Sequence, residues 1–202
     1  KENENIIDRN LTRFIMHRLI PDDRIGIGRL YIELGANRLL FSMNSYGETM
    51  TDPFWFKQPS DKTSFDDINF HKTFSQNVGN YIAYQDRHIL DSVSPDLTTN
   101  GRQRKLWRTE KKVEYLLKFG TSPNYFEPAN EAAASKILET INILPFVSYE
   151  MLSINGEKVS RCNNFLSPSE EFVPACDIYH TSLCEPLDDL PVDLKLIKKF
   201  EF

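Results

Sequence analysis

Apolar and polar positions alternate in two short runs within residues 104–120, and a charged turn separates the two runs. The second run, VEYLLKF at residues 113–119, has an apolar side chain at every second position, which is the period of a strand. Because the charged residues 110–112 lie between the runs, the pattern predicts a strand–turn–strand unit. Lys118 then shares a face with Leu116 and lies opposite the main apolar set.

A helix and a second hairpin follow this unit. The segment EPANEAAASKILETINI, residues 127–143, has Pro128 near its first turn, acidic residues at its start and alanines in its interior, which predicts a helix. Further along, two apolar runs flank Asn155 and Gly156, the dipeptide most typical of a tight hairpin turn. The order predicts an antiparallel sheet with one packed helix.

The first 92 residues have a different pattern. Residues 24–47 have largely helical spacing that three glycines interrupt. Residues 49–70 are rich in aromatic and turn residues, and residues 74–85 fit either a short helix or an extended segment. This part of the chain is therefore expected to be a mostly helical and irregular module.

These patterns together predict an α+β fold in three parts. The N-terminal module occupies residues 1–92, and the sheet with its helix occupies residues 93–180. A charged, amphipathic C-terminal segment follows at residues 181–202, with a final helix expected from Val192.

Composition narrows the range of functions. The chain has 202 residues, is 40% hydrophobic and carries a net charge of −5, which argues against a general nucleic-acid binder. No apolar run approaches the roughly 20 residues that a membrane span needs. The three cysteines, Cys162, Cys176 and Cys184, fit no zinc-binding spacing, and we interpret them as reduced thiols of a cytoplasmic protein. The four histidines are scattered, so we expect no metal site in this chain.

Lys118 has two interpretations at this stage. A lysine on a half-buried strand is commonly a solvent-facing or snorkelling side chain. Alternatively, it contacts a phosphate, because a turn with several backbone donors, Thr98 to Gly101, precedes its strand. A glutamate on the following helix, Glu131, is then placed to pair with it. A loop, a strand lysine, a helix glutamate and two further strands form the layout of a protein-kinase N-lobe.

Several ordered segments resemble the HipA-like serine/threonine kinases of bacteria. They are SYGETMTDPFWFK, FDDINF, FSQNVGN, SPDLTTNGRQRKLWR, YLLKFG, EPANEAAASKI and VSRCNNFLSPSEEFVPA, spread over roughly residues 28–180. The resemblance implies a kinase-like N-lobe that binds ATP with Mg²⁺ and a reaction that transfers a phosphoryl group to a protein hydroxyl. It also implies a protein substrate and, as in toxin–antitoxin systems, a DNA-binding or antitoxin partner.

The resemblance assigns roles residue by residue. Lys118 matches the nucleotide lysine, and Glu131 matches the helix glutamate, with Glu127 as a second candidate. The matching phosphate loop consists of Thr98, Thr99, Asn100 and Gly101, and the matching hinge consists of Asn163, Asn164, Phe165 and Leu166. Because kinases of this family can be silenced by phosphorylation of the phosphate loop, Thr98 and Thr99 are also candidate phosphate acceptors.

The catalytic aspartate and the magnesium ligands of a kinase belong to a C-lobe after the hinge. Residues 167–202 are too few for such a lobe, so the resemblance places these groups outside this chain. DRHILD at residues 86–91 is similar to a catalytic loop, but it precedes the phosphate loop, and we interpret it as a solvated connector. We therefore expect an incomplete kinase. The alternative is a non-catalytic, kinase-like interaction module or one half of a split kinase.

A basic cluster surrounds Trp107 and consists of Arg102, Arg104, Lys105 and Arg108. Such interleaving is typical of single-stranded nucleic-acid sites, and equally of a solvated hairpin face. The acidic net charge favours the solvated face.

Overall fold

The computed structural model describes residues 11–12, 14–15, 18–35, 37–49, 53–68, 76–84, 101–167, 170 and 172. Within these residues, the elements with defined bounds are α1 Ile27–Leu34, α2 Arg38–Asn44, α3 Phe65–Ile68, α4 Gln76–Tyr84, β1 Lys105–Glu110, β2 Val113–Phe119, α5 Glu127–Ile141, β3 Glu150–Ile154 and β4 Glu157–Asn163. The predicted α+β class is confirmed.

The four strands form one antiparallel sheet in the order β1-β2-β4-β3. Strand β2 is interior, since it pairs with β1 on one side and with β4 on the other. Its register sets Lys118 opposite Lys105 on β1 and opposite Ser160 on β4. These three side chains therefore lie on the same face of the sheet.

Both predicted hairpins are confirmed, and their turns use different residues. Asn155 and Gly156 join β3 to β4 with φ angles of 52° and 83°. Lys111 and Lys112 join β1 to β2 with φ angles of 50° and 69°, a left-handed conformation in which lysine is uncommon. Pairing of β1 with β2 therefore holds Lys111 and Lys112 in a left-handed backbone conformation that Asn and Gly adopt readily.

Helix α5 begins at Glu127 as predicted and ends at Ile141, two residues before the predicted end. Asn142 stops the helix because it adopts the left-handed conformation, with φ 48°, and its N–H donates to the carbonyl oxygen of Leu138 at 2.8 Å. Asparagine tolerates this conformation better than most residues do, so it serves as the C-terminal cap.

The helical spacing of residues 24–47 resolves into two short helices. Gly35, with φ 60°, ends α1, and the side chain of Asn37 caps α2 by accepting a hydrogen bond from the N–H of Leu40 at 2.8 Å. Residues 76–84 are helical, which decides between the two alternatives for that segment.

The sheet packs on both of its faces. One face, here called the α4 face, carries Leu106, Leu117, Phe119 and Val159, which pack against Ala83 and Tyr84 of α4. The other face, here called the α5 face, carries Lys105, Trp107, Leu116, Lys118, Ser160 and Cys162 and lies under α5. A third apolar cluster, formed by Ile20, Ile27, Leu30, Phe41 and Tyr81, belongs to the N-terminal helices.

Several predicted features lie outside the described residues. They are the DRHILD segment, the Thr98–Thr99–Asn100 part of the phosphate loop, Cys176, Cys184 and the final helix from Val192. Among the helices that the structure describes, none combines the length and the apolar character required to cross a bilayer.

Candidate functional site

Lys118 lies near the end of the interior strand β2, on the α5 face, and its side chain is 15% exposed. Its ammonium nitrogen is 2.8 Å from Oε1 of Glu131, whose side chain is 25% exposed. The expected pairing of the strand lysine with the helix glutamate is therefore confirmed. The assignment of that pair to a nucleotide stays a prediction.

Glu131 belongs to α5, and side chains of two strands hold its carboxylate from the sheet. The hydroxyl of Ser160, on β4, donates to the second carboxylate oxygen of Glu131. Both oxygens of the carboxylate thus have donors from neighbouring strands, which fixes its orientation. Glu127, the second candidate for this role, instead accepts a hydrogen bond from the N–H of Thr121 at 3.1 Å.

Tyr149 is a second partner of Lys118 that the sequence analysis missed. Its hydroxyl oxygen is 2.7 Å from the ammonium nitrogen, which also lies 4.4 Å from the centre of the tyrosine ring. Tyr149 immediately precedes β3 and lies in the apolar run that the sequence predicts as the first strand of the second hairpin. Because Met151 is opposite Ser160, the period of a strand places Tyr149 on the α5 face, but it does not identify Lys118 as its partner.

The pKa of Lys118 reflects two opposing effects. Burial lowers it, but the hydrogen bonds to Glu131 and Tyr149 outweigh burial and raise the pKa above the ordinary value for lysine. Burial raises the pKa of Tyr149 to about 12, although the nearby ammonium partly opposes that rise. At neutral pH, the pair is therefore an ammonium cation and an uncharged phenol.

Lys105, which the sequence places in the basic cluster around Trp107, is a second lysine at this site. It faces Lys118 across the β1–β2 pair and is 9% exposed. Burial lowers its pKa to about 8, and the charges of Arg24 and Lys118 lower it further than Glu131 raises it. The two-residue turn at Lys111 and Lys112 fixes this cross-strand register, whereas the predicted turn at residues 110–112 is one residue longer and would shift it.

Gly101, the end of the predicted phosphate loop, lies against this second lysine. Its φ of 107° is unfavourable for residues with a side chain, and a Cβ atom there would lie 3.1 Å from Nζ of Lys105. The guanidinium of Arg24 donates to the carbonyl oxygen of Gly101 at 2.7 Å. The last residue of the predicted loop thus lies beside Lys105 and Arg24.

The predicted hinge follows β4. The N–H of Asn164 donates to the carbonyl oxygen of Glu114 at 2.8 Å, and the N–H of Leu166 donates to the side chain of Asn164 at 3.1 Å. Two of the four hinge N–H groups therefore have acceptors within the chain. Asn163 is exposed, and Phe165 packs edge-on against Phe172 with 5.8 Å between ring centres.

A cavity of about 400 Å³ adjoins the hinge, but it does not reach Lys118. Its lining consists of Phe146, Val147, Ser148, Glu150, Arg161, Asn163 and Phe165. Since successive strand residues point to opposite faces, Arg161 and Asn163 lie on the α4 face, whereas Ser160 and Lys118 lie on the α5 face. The cavity is therefore separate from the lysine site.

The basic cluster does not form a stacking platform. Trp107 is 2% exposed and packs against Leu116 and Cys162. Arg104 donates to the carbonyl oxygen of Ala83 at 2.9 Å and pairs with Glu157. Trp107 and Arg104 therefore contribute to the packing of the sheet.

Comparisons with protein-family models, with curated proteins and with solved structures gave no match for this chain. In the described part of the chain, no group of three or more histidine, cysteine or acidic side chains is arranged to hold a metal ion.

Proposed function

We propose that this chain is the ATP-binding portion of a HipA-like serine/threonine protein kinase, in which the sheet and α5 form a kinase-like N-lobe. The observation that carries the proposal is the ion pair between Lys118 on the interior strand and Glu131 on the helix, 2.8 Å apart. In protein kinases, a lysine of this kind contacts the phosphates of ATP only while a helix glutamate holds it.

The charges around the ion pair fit a polyphosphate. Lys105 and Arg24 add two cationic side chains next to Gly101, while Glu131 is the acidic group among those that influence the pKa of Lys105. A glycine of positive φ, here Gly101, also allows an anion to approach the backbone closely. Of the four charged groups named here, Lys118, Lys105 and Arg24 are cationic and Glu131 is anionic.

Several parts of the proposal rest on the resemblance alone. Thr98, Thr99 and Asn100 would complete the phosphate loop, and the hinge at residues 163–166 would read the adenine edge. The Mg²⁺ that accompanies ATP would be held by groups outside the described residues. A protein substrate, a DNA-binding or antitoxin partner and a cytoplasmic location complete the proposal.

The alternative is a non-catalytic, kinase-like regulatory module or one half of a split kinase. One observation supports this alternative: Lys118, Glu131 and Gly101 are all binding groups, and none of them can orient a protein hydroxyl for attack as the kinase aspartate does. Phosphoryl transfer by this chain alone would exclude the alternative. Transfer only after addition of a second protein would support the split kinase.

Lys118→Met tests the nucleotide site. We expect this variant to bind ATP–Mg²⁺ at least about tenfold more weakly in calorimetry, because a strand methionine cannot contact the phosphates. The matched control is Lys158→Met, which removes an exposed lysine from β4. Equal ATP affinity in the two variants, both folded by circular dichroism, would rule out a phosphate role for Lys118.

A further inference from the structure

Tyr149 is fixed in position by two separate contacts. Its backbone N–H donates to the hydroxyl oxygen of Ser135 at 2.8 Å, and Ser135 is a buried residue of α5. Its ring packs against the cluster of Trp107, Leu116 and Cys162 on the α5 face. The ring position is thus set by the helix and by the sheet together.

One side of α5 carries Glu131, which bonds Lys118, and Ser135, which bonds Tyr149. Glu131 bonds the ammonium directly, and Ser135, four residues later, bonds the backbone of Tyr149. Residues four apart on a helix lie on the same face, one turn above the other. A displacement of α5 would therefore move both partners of the lysine at once.

The ammonium group of Lys118 has three N–H donors. Within the described residues, one donates to Glu131 and another to Tyr149, at 2.8 Å and 2.7 Å. Because the three donors point in tetrahedral directions, two fixed bonds determine the direction of the third. The remaining N–H is thereby oriented before any ligand arrives.

The chemistry of a tyrosine suits this purpose. A phenol accepts a hydrogen bond without cancelling the charge of the ammonium, whereas a second carboxylate would neutralise the site for an anion. The hydroxyl also has a proton to donate. Tyr149 therefore constrains the lysine and preserves its attraction for phosphate.

We propose that Tyr149 is a positioning residue that, together with Glu131, directs the third N–H of Lys118 toward a phosphate of the bound nucleotide. This inference rests on the proposed function. Tyr149 acts through Lys118, so its contribution depends on the presence of the lysine. A residue that only stabilised the fold would contribute equally with or without Lys118.

A double-mutant cycle separates these two roles. Tyr149→Phe removes only the hydroxyl and is expected to weaken ATP–Mg²⁺ binding about fivefold in the otherwise unchanged protein. In the Lys118→Met background, the same substitution is expected to change the affinity less than twofold. Tyr115→Phe, a strand tyrosine on the α4 face, is the matched control and should leave the affinity unchanged in both backgrounds. Equal losses from Tyr149→Phe in the two backgrounds would overturn the inference.

A second measurement needs no nucleotide. The ¹⁵N-labelled ammonium signal of Lys118 in NMR is expected to shift in Tyr149→Phe, and its titration is expected to move to lower pH because one of the bonds that raise the pKa is lost. Ser135→Ala, which releases the backbone of Tyr149 from α5, should shift the signal in the same direction by less. An ammonium signal that is unchanged in both variants would overturn the inference. Absence of ATP binding by the parent protein would overturn the proposed function, while the ammonium signal would still decide whether Tyr149 holds Lys118.

Discussion

Lys105 and Lys118 are cross-strand neighbours whose pKa values move in opposite directions. Burial dominates at Lys105 and lowers its pKa to about 8, whereas at Lys118 the hydrogen bonds to Glu131 and Tyr149 outweigh burial and raise the pKa. The difference follows from the partners and not from exposure, since the two side chains are 9% and 15% exposed. Near pH 9, one lysine is therefore mostly neutral while the other remains charged.

This lowered pKa predicts an unusual dependence of stability on pH. Between about pH 8 and pH 10.5, the unfolded chain binds more protons at Lys105 than the folded protein does. The free energy of unfolding therefore increases as the pH rises through this range. We expect this gain to reach at most about 1.4 kcal/mol per pH unit and to be absent from Lys105→Met. Urea unfolding at pH 7 to 10 measures the difference between the parent protein and the variant.

Tyr31 and Tyr149 make the free energy of unfolding decrease with pH, but only at higher pH. Burial raises both pKa values to about 12, so their contribution to stability is lost as the pH rises above 10. The test is therefore confined to values below pH 10, with Lys158→Met as the control. Parallel stability curves for Lys105→Met and the parent protein would contradict the lowered pKa of Lys105.

The sequence predicted only one half of the arrangement around Lys118. The pairing with Glu131 was predictable because it joins a periodic strand to a periodic helix in a known order. The contact with Tyr149 was not, because the period of a strand assigns a residue to a face but not to a hydrogen-bonding partner. The interpretation of Lys105 as part of a solvated face was wrong, because the side chain is buried and Arg24, one of the charges near it, lies far away in the sequence.

At the scale of elements, the two hairpins have turns of the same length, two residues, but of different amino acids. Asn155-Gly156 takes positive φ at little cost, whereas Lys111 and Lys112 take it against their steric preference. The sequence located the Asn-Gly turn correctly, but it placed Glu110 in the first turn, whereas this residue belongs to β1. It did not reveal the strain, because the conformation of the lysines follows from pairing of the flanking strands.

The lysine turn predicts a stabilising substitution. Replacement of Lys111 by Asn together with Lys112 by Gly should raise the free energy of unfolding by about 1 kcal/mol, because these residues favour the required turn. Thermal and urea unfolding measure the gain. The reverse exchange, Asn155→Lys with Gly156→Lys, should lower stability by a similar amount. A loss of stability in the first variant would show that the lysine side chains matter more than the backbone conformation.

Across the whole molecule, the predicted boundary at residue 92 runs between elements that share a core. Ala83 of α4 packs with Leu106, Leu117 and Phe119, and the ring of Tyr84 meets that of Phe119 at 5.7 Å between centres. Sequence periodicity described α4 and the sheet separately, but it could not show that they cover each other. The association arises from complementary apolar surfaces, which no local pattern contains.

A deletion tests how far the sheet depends on α4. A chain that begins at residue 93 should expose the α4 face and lose cooperative unfolding, because four buried apolar side chains would meet water. A chain that begins at Gln76 keeps α4 and should recover part of the cooperative transition in differential scanning calorimetry. Equal, sharp transitions in both chains would show that the sheet and α5 form an independent folding unit.

The tetrahedral arrangement at Lys118 also limits which residues evolution can place there. Arginine would conserve the charge, but its donors lie in one plane and could not meet Glu131, Tyr149 and a third acceptor as the ammonium does. In a relative of this protein, arginine at this position would therefore mark a departure from this arrangement. A lysine that varies together with Tyr149 and Ser135 would show that the three residues are inherited as one unit.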